Sequence, residues 1–278
     1  MEQQRTCVLC CCVLVLALLF SHPLSGTAQE VEDEREFDYI EGSEKGPAFW
    51  GDIKKEWADC KTGSLQSPID MSDRRVKMVR KTENIKRNYR PFNATVKNRG
   101  HDIMVQWEGF DKVGSIQING TRYFLQQCHW HSPSEHSING RRYSMELHML
   151  HTTPDQKIAV IGYLYKIGKP DAFLSKLLND IMSMTDQIME RNLGIVDPRE
   201  IRPGGKKYYR YMGSLTTPPC KQGVIWTINK KIRTISRDQV RALREAVHDS
   251  AEKNARPLQP LNQREIHFHG QSPKDTFN

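Results

Sequence analysis

Residues 122–151 read RYFLQQCHWHSPSEHSINGRRYSMELHMLH. Runs rich in β-branched and aromatic residues, Arg122 to His131 and Tyr143 to His151, flank an Asn139-Gly140 hairpin signal, which predicts two antiparallel strands. Five of the chain's ten histidines fall in the last 24 positions of the stretch. Side chains alternate faces along a strand, so Gln127, His129 and His131 share one side while Cys128 and Trp130 share the other. Two histidines two residues apart lie roughly 6–7 Å apart, close enough for both rings to turn toward one ion. The second strand would present Glu146, His148 and Leu150 on one face and His151 on the other. Paired strands lie about 4.8 Å apart, so His148 can complete a set of three. Three neutral imidazoles with an open fourth position form the arrangement of a catalytic Zn²⁺. Gln127 and Glu146 each precede a histidine by two residues, where they can accept the ring's second N–H and fix its tautomer. His136 and His151 have no such neighbour and read as structural histidines.

Working outward, Ile103 to Trp107, Ile158 to Tyr165, Tyr208 to Tyr211 and Val224 to Ile228 read as further strands. Two helices are expected. Phe173, Leu177, Ile181, Met184 and Ile188 recur at helical spacing within Asp171 to Asn192. Ser236 to Ser250 opens on a Ser-x-x-Gln capping box, Ser236 with Gln239. Strands that follow one another without regular intervening helices predict a mostly β (α+β) fold on a mainly antiparallel sheet rather than a doubly wound one.

The ends and the cysteines bear on the compartment. A short leader, an apolar run of about 14 residues from Cys7 to Phe20, and small residues Gly26 and Ala28 read as a secretory signal peptide over 1–28. That run is shorter than the roughly 20 residues a membrane-spanning helix needs, so no membrane anchor is expected. Its removal leaves Cys60, Cys128 and Cys220, an odd number that in an oxidising compartment implies one disulfide and one buried thiol. Cys128 lies on the strand face opposite the zinc ligands, beside Trp130, and reads as the free thiol. Asn93-Ala-Thr95 and Asn119-Gly-Thr121 are N-glycosylation acceptors. Residues 29–278 show no linker or repeat and read as one domain. The net charge is +8, with basic stretches at Arg74 to Arg99 and Lys206 to Arg244. These lack the interleaved stacking aromatics of a nucleic-acid-binding motif, so no nucleic-acid partner is expected.

His129-Trp130-His131, Ser134-Glu135-His136 and Glu146-Leu147-His148 resemble the signature of α-class carbonic anhydrases, in the form of secreted plant members. Supporting segments are Gly46-Pro47 with Trp50-Gly51, Gln66 to Asp70, Gly100-His101, Gly213 to Cys220, and Asn254 to Pro257 through Arg264. The resemblance covers about Phe37 to Phe268. It implies one domain around a large twisted, mainly antiparallel sheet with short peripheral helices. It also implies reversible hydration of CO₂ to bicarbonate and a proton, by attack of a zinc-bound hydroxide. His129, His131 and His148 would hold the metal. Aqueous zinc leaves its water with a pKa near 9 and the family's site lowers it to about 7, a figure belonging to the family rather than to this chain. Thr216 would orient the hydroxide while donating to Glu135. Leu150, Val160, Leu215, Thr217 and Trp226 match the CO₂ pocket. His101 matches the proton shuttle, a role suited to imidazole, and Tyr39 matches a tyrosine near its path. The resemblance pairs Cys60 with Cys220. The signal peptide and the two glycosylation acceptors place the protein in the secretory pathway, extracellular or apoplastic, and the resemblance adds the chloroplast, reached by that route, as a second destination.

Three positions depart from common family members: Arg99 and Met104 where polar residues order the shuttle water, and Leu150 where a smaller valine is usual. A reading of another class is a weakened storage or binding protein on the same fold. A zinc peptidase is disfavoured because the helical His-Glu-x-x-His motif is missing.

Overall fold

The computed structural model describes residues 36–79, 85–184, 189–202 and 204–270. The expected signal peptide lies outside the described residues. Sixteen strands are present among them. The first half contains β1 (Asp70–Met71), β2 (Val76–Val79), β3 (Lys86–Arg87), β4 (Phe92–Asn98), β5 (Ile103–Trp107), β6 (Ser115–Ile118), β7 (Thr121–His131) and β8 (Ser137–Ile138). The second half contains β9 (Arg141–Arg142), β10 (Met145–Thr152), β11 (Ile158–Ile167), β12 (Met189–Val196), β13 (Tyr208–Ser214), β14 (Gln222–Asn229), β15 (Arg233–Ile235) and β16 (Ile266–His269). The α-helices are short: α1 (Trp50–Ile53), α2 (Asp59–Thr62), α3 (Ala172–Met182) and α4 (Arg237–Ala246). No described helix is long and apolar enough to cross a membrane.

One sheet of 13 strands dominates, running β12-β4-β5-β7-β10-β11-β14-β13-β16-β2, with β15 on β11, and β3 joined through β6 to β7. It is mixed, as β11–β14, β11–β15 and β16–β2 are parallel and the other pairs antiparallel. The expected β7–β10 pair is antiparallel, with His129 opposite His148 and Glu146 opposite His131. Alternation sorts the two faces into separate apolar clusters. Cys128, Trp130, Leu147, Met149, Ala159 and Ile161 pack into one, against Phe173 and Leu177 of α3 and Val240 and Leu243 of α4. Leu150, Val160, Leu215 and Trp226 belong to the other. A register shift between Leu150 and His151 places one extra β7 residue, Gln126, in the ladder. Such a bulge re-aims the strand on one side of it, so that Leu125 and Tyr123 join the helix-side core.

One element differs from its expectation. The first of the two expected helices was to span Asp171 to Asn192, but α3 ends at Met182, with Asp171 as its N-cap accepting from Phe173 N and Leu174 N. Residues from Met189 onward form β12, antiparallel to β4. Apolar spacing is local, whereas the ladder to β4 supplies partners for a row of backbone groups, and that pairing decides the outcome. The helix after Ser236 forms over Arg237–Ala246, with both hydrogen bonds of the Ser236–Gln239 capping box present.

Candidate metal centre

His129, His131 and His148 offer three ring nitrogens that lie within 4.8 Å of one another, and all three side chains are buried. Their tautomers follow from groups that only accept. His129 Nδ1–H donates to Gln127 Oε1 at 2.8 Å, His131 Nδ1–H to Asn254 O at 2.7 Å, and His148 Nε2–H to Glu146 Oε1 at 2.9 Å. The remaining nitrogens, Nε2, Nε2 and Nδ1, therefore carry lone pairs. His148 Nδ1 and His129 Nε2 face each other at 3.3 Å with no hydrogen left to share, and His131 Nε2 is buried without a hydrogen-bond partner. Converging lone pairs repel unless a cation lies between them. Tetrahedral Zn²⁺ with Zn–N near 2.0–2.1 Å sets its nitrogens roughly 3.3–3.4 Å apart, so the donor set fits that ion.

The electrostatics around the ligands are uneven. Burial pushes the Glu146 carboxyl up, but His136 and His148 outweigh it and hold it well below the usual carboxylate range. Burial lowers the pKa of His129. At His131 burial acts the same way, yet the carboxylate of Glu135 overrides it and raises the pKa, with Glu135 Oε2 at 3.6 Å from Nε2. A proton and a metal thus compete for His131. Glu135 accepts from Arg256 N at 3.0 Å through Oε1, and its Oε2 is buried without a hydrogen-bond partner. That leaves Oε2 as the oxygen to which the expected bond from Thr216 would run.

The other expected residues fall as follows. Thr216 and Thr217 are buried in the turn between β13 and β14, and Thr217 Oγ1 has no hydrogen-bond partner there. Leu150, Val160, Leu215 and Trp226 share one apolar cluster, with the Trp226 ring 4.8 Å from that of His148. His101 is only 1% exposed and packs on Phe37, ring centroids 5.1 Å apart. Arg99 grips Asp102 with Nε and Nη2 at 2.8 and 2.6 Å, closing the turn that carries His101. Cys60 and Cys220 form a disulfide, and Cys128 is a buried free thiol. Asn93 and Asn119 are exposed.

Several contributors escaped sequence reasoning. Asn254 orients His131 through its carbonyl, and its side chain donates to His101 O and Trp130 O. Glu146 also serves His136, accepting from its Nδ1 and its backbone N at 2.8 Å each. His136 Nε2 meets Tyr211 OH at 2.6 Å, so its structural role holds although its partner went unseen. Gly162 stands opposite His148. A Cβ there would come within 2.9 Å of Glu146 Oε1 and 2.5 Å of Ile228 Cδ1, and only glycine leaves the carboxylate its place.

Comparison with known proteins agrees with this geometry. The family model for eukaryotic-type carbonic anhydrase matches residues 45–270. The chain is 52% identical over 241 residues to alpha carbonic anhydrase 7 of Arabidopsis thaliana, covering 86% of this chain and 87% of that one. It is 52% identical over 261 residues to carbonic anhydrase Nec1 of Nesocodon mauritianus, covering 92% and 93%. Among solved structures it is similar to dioscorin complexed with ascorbate, with TM-score 0.82 and 43% identity over 86% of this chain and 99% of that one.

Proposed function

The chain belongs to the eukaryotic-type carbonic anhydrase family, and from that premise we propose that it hydrates CO₂ reversibly to bicarbonate and a proton, using Zn²⁺ held by His129, His131 and His148. The observation that carries the proposal is the set of three convergent lone pairs, each fixed by an acceptor on the far side of its ring. Zn²⁺ bound there supplies a Lewis acid that makes a water acidic enough to lose its proton near neutral pH. The protein's own groups do the rest. Glu135 Oε2, buried and unpartnered, is the acceptor available to the Thr216 hydroxyl. With its hydrogen so committed, Thr216 turns a lone pair toward the attacking oxygen and selects its donor hydrogen. Leu150, Val160, Leu215 and Trp226 give CO₂, which has no net dipole, an apolar wall without competing hydrogen bonds. Thr217 Oγ1, buried without a partner, is free to meet the polar product. His101 takes up the proton released in each cycle. Export through the secretory pathway, with residues 1–28 as signal peptide and glycans at Asn93 and Asn119, belongs to the same proposal.

The likeness to dioscorin supports a second reading, a storage or binding protein that has lost turnover. The complete set of His101, Glu135, Thr216 and three histidines favours the enzyme, since storage requires none of them. Metal analysis and stopped-flow CO₂ hydration on one sample separate the readings. The expected result is about one zinc per chain, with rapid hydration, and sharply reduced zinc in His148→Ala. Full zinc retention in that variant would remove His148 from the ligand set. A zinc-replete parent without hydration activity would leave the storage reading.

A further inference from the structure

We propose that His248 is a second proton carrier, which accepts from His101 and delivers to buffer; this rests on the carbonic anhydrase reading above. The need arises from burial. A shuttle has to meet a proton acceptor in solution, but His101 is 1% exposed and its ring lies against Phe37 at 5.1 Å. What His101 does meet is a cavity of about 280 Å³, lined also by Phe37, Tyr39, His248 and Ser250. A water's share of liquid volume is about 30 Å³, so the space holds several. His248 is half-buried and reaches both that cavity and solvent.

The backbone fixes the two histidines side by side. His248 N donates to Gly100 O at 3.1 Å, and Ala251 N closes the next turn on His248 O at 2.7 Å. Gly100 adopts φ +80, a conformation that L side chains rarely take and that turns its carbonyl toward this bond. The cavity's remaining polar lining fits the role less well. Asp38 already accepts from Ile40 N at 2.8 Å and Ser43 Oγ at 2.6 Å, while the Tyr39 and Ser250 hydroxyls can order water but not store a proton near neutrality. Histidine is the side-chain type whose charge changes in that range. The steps balance: neutral His101 takes the proton released by hydration, passes it through cavity water to neutral His248, and regains its lone pair. His248 then loses the proton to a buffer base.

The test uses the full zinc enzyme. Proton export limits kcat at low buffer, whereas kcat/KM covers only the steps through CO₂ attack. His248→Gln should lower kcat at low buffer by about tenfold, less than the ~10²-fold of a fully positioned proton-transfer group. It should leave kcat/KM unchanged, and diffusible imidazole should restore kcat. In a His101→Ala background the same change should add nothing. Apart from activity, peptide mapping after brief diethyl pyrocarbonate treatment should find His248 modified well before His101. Four results would overturn the relay: unchanged kcat in His248→Gln, equal losses in kcat and kcat/KM, no imidazole rescue, or His101 modified as fast as His248. If His101→Ala itself leaves low-buffer kcat intact, the shuttle role fails and the relay with it. If His101→Ala slows turnover and His248→Gln does not, only the relay fails.

Discussion

His151 shows what burial does to a single imidazole outside the metal centre. Its Nδ1–H donates to Ala159 O at 3.3 Å, and its Nε2 accepts from Tyr89 OH at 2.6 Å, a pairing that needs the neutral ring. Burial, with Arg87 adding to it, drives its pKa down to about 3. The unfolded chain takes up this proton near pH 6.5, so below that pH the unfolded state binds more protons and the fold loses stability. The loss begins near pH 6.5 and continues down to about pH 3, at up to about 1.4 kcal/mol per pH unit. In His151→Gln the amide oxygen can still accept from Tyr89, and that one-proton part of the slope should vanish. Urea unfolding of both proteins at pH 7, 6 and 5, metal-free so that zinc release plays no part, reads the difference. Equal slopes would mean that His151 is protonated in the fold. At this scale, legibility follows sequence distance. Gln127 and Glu146 could be read because two residues along a strand is the same face. Asn254 could not, because its bond to His131 spans 123 positions, and nothing local in either segment announces the other.

Elements were legible where a local period had no competitor. The strand expected over Ile103 to Trp107 forms with those bounds, and Arg122 to His131 lacks only Thr121. Residues 189–192 were misread because β12 exists through its ladder with β4, which helical spacing does not register. The turn between β13 and β14, which carries Thr216, is held by another long-range device. The Cys60–Cys220 disulfide closes a loop of 160 residues. Gln66 Nε2 donates to Cys220 O at 3.1 Å, and Arg256, which also holds Glu135, donates to Cys60 O at 2.8 Å. In the chain-entropy model such a loop contributes about 5 kcal/mol, an upper figure. Replacing both cysteines by serine should lower Tm by the order of 10 °C. CO₂ hydration should fall at temperatures where far-UV circular dichroism still reports an intact sheet. Loss of both signals together would show that the disulfide supports the whole sheet rather than this turn.

For the whole molecule, the order of strands was the least legible feature, since β12–β4, β11–β14 and β16–β2 join segments far apart in sequence. The mostly β class was readable from the succession of strands, whereas the single large sheet was readable only through the motifs shared with the family. Strand order also determines which edge stays open. Among the described residues β12 ends the large sheet, and an open edge is a template for pairing with another chain. A register shift between Asn192 and Gly194 interrupts the edge, yet Ile195 beyond it is 74% exposed. Its cross-strand neighbour on β4 is Asn93, the first of the two expected glycosylation acceptors. Directly opposed residues have Cβ atoms about 4.5–5.5 Å apart, so a glycan on Asn93 would stand over Ile195 and obstruct the edge. Secreted protein carrying that glycan should therefore run as a smaller species in light scattering than Asn93→Gln at the same high concentration, and adding Ile195→Lys to Asn93→Gln should restore the smaller size. If Asn93→Gln and the parent scatter alike across the concentration range, the bulge alone protects the edge and the glycan has no part in it.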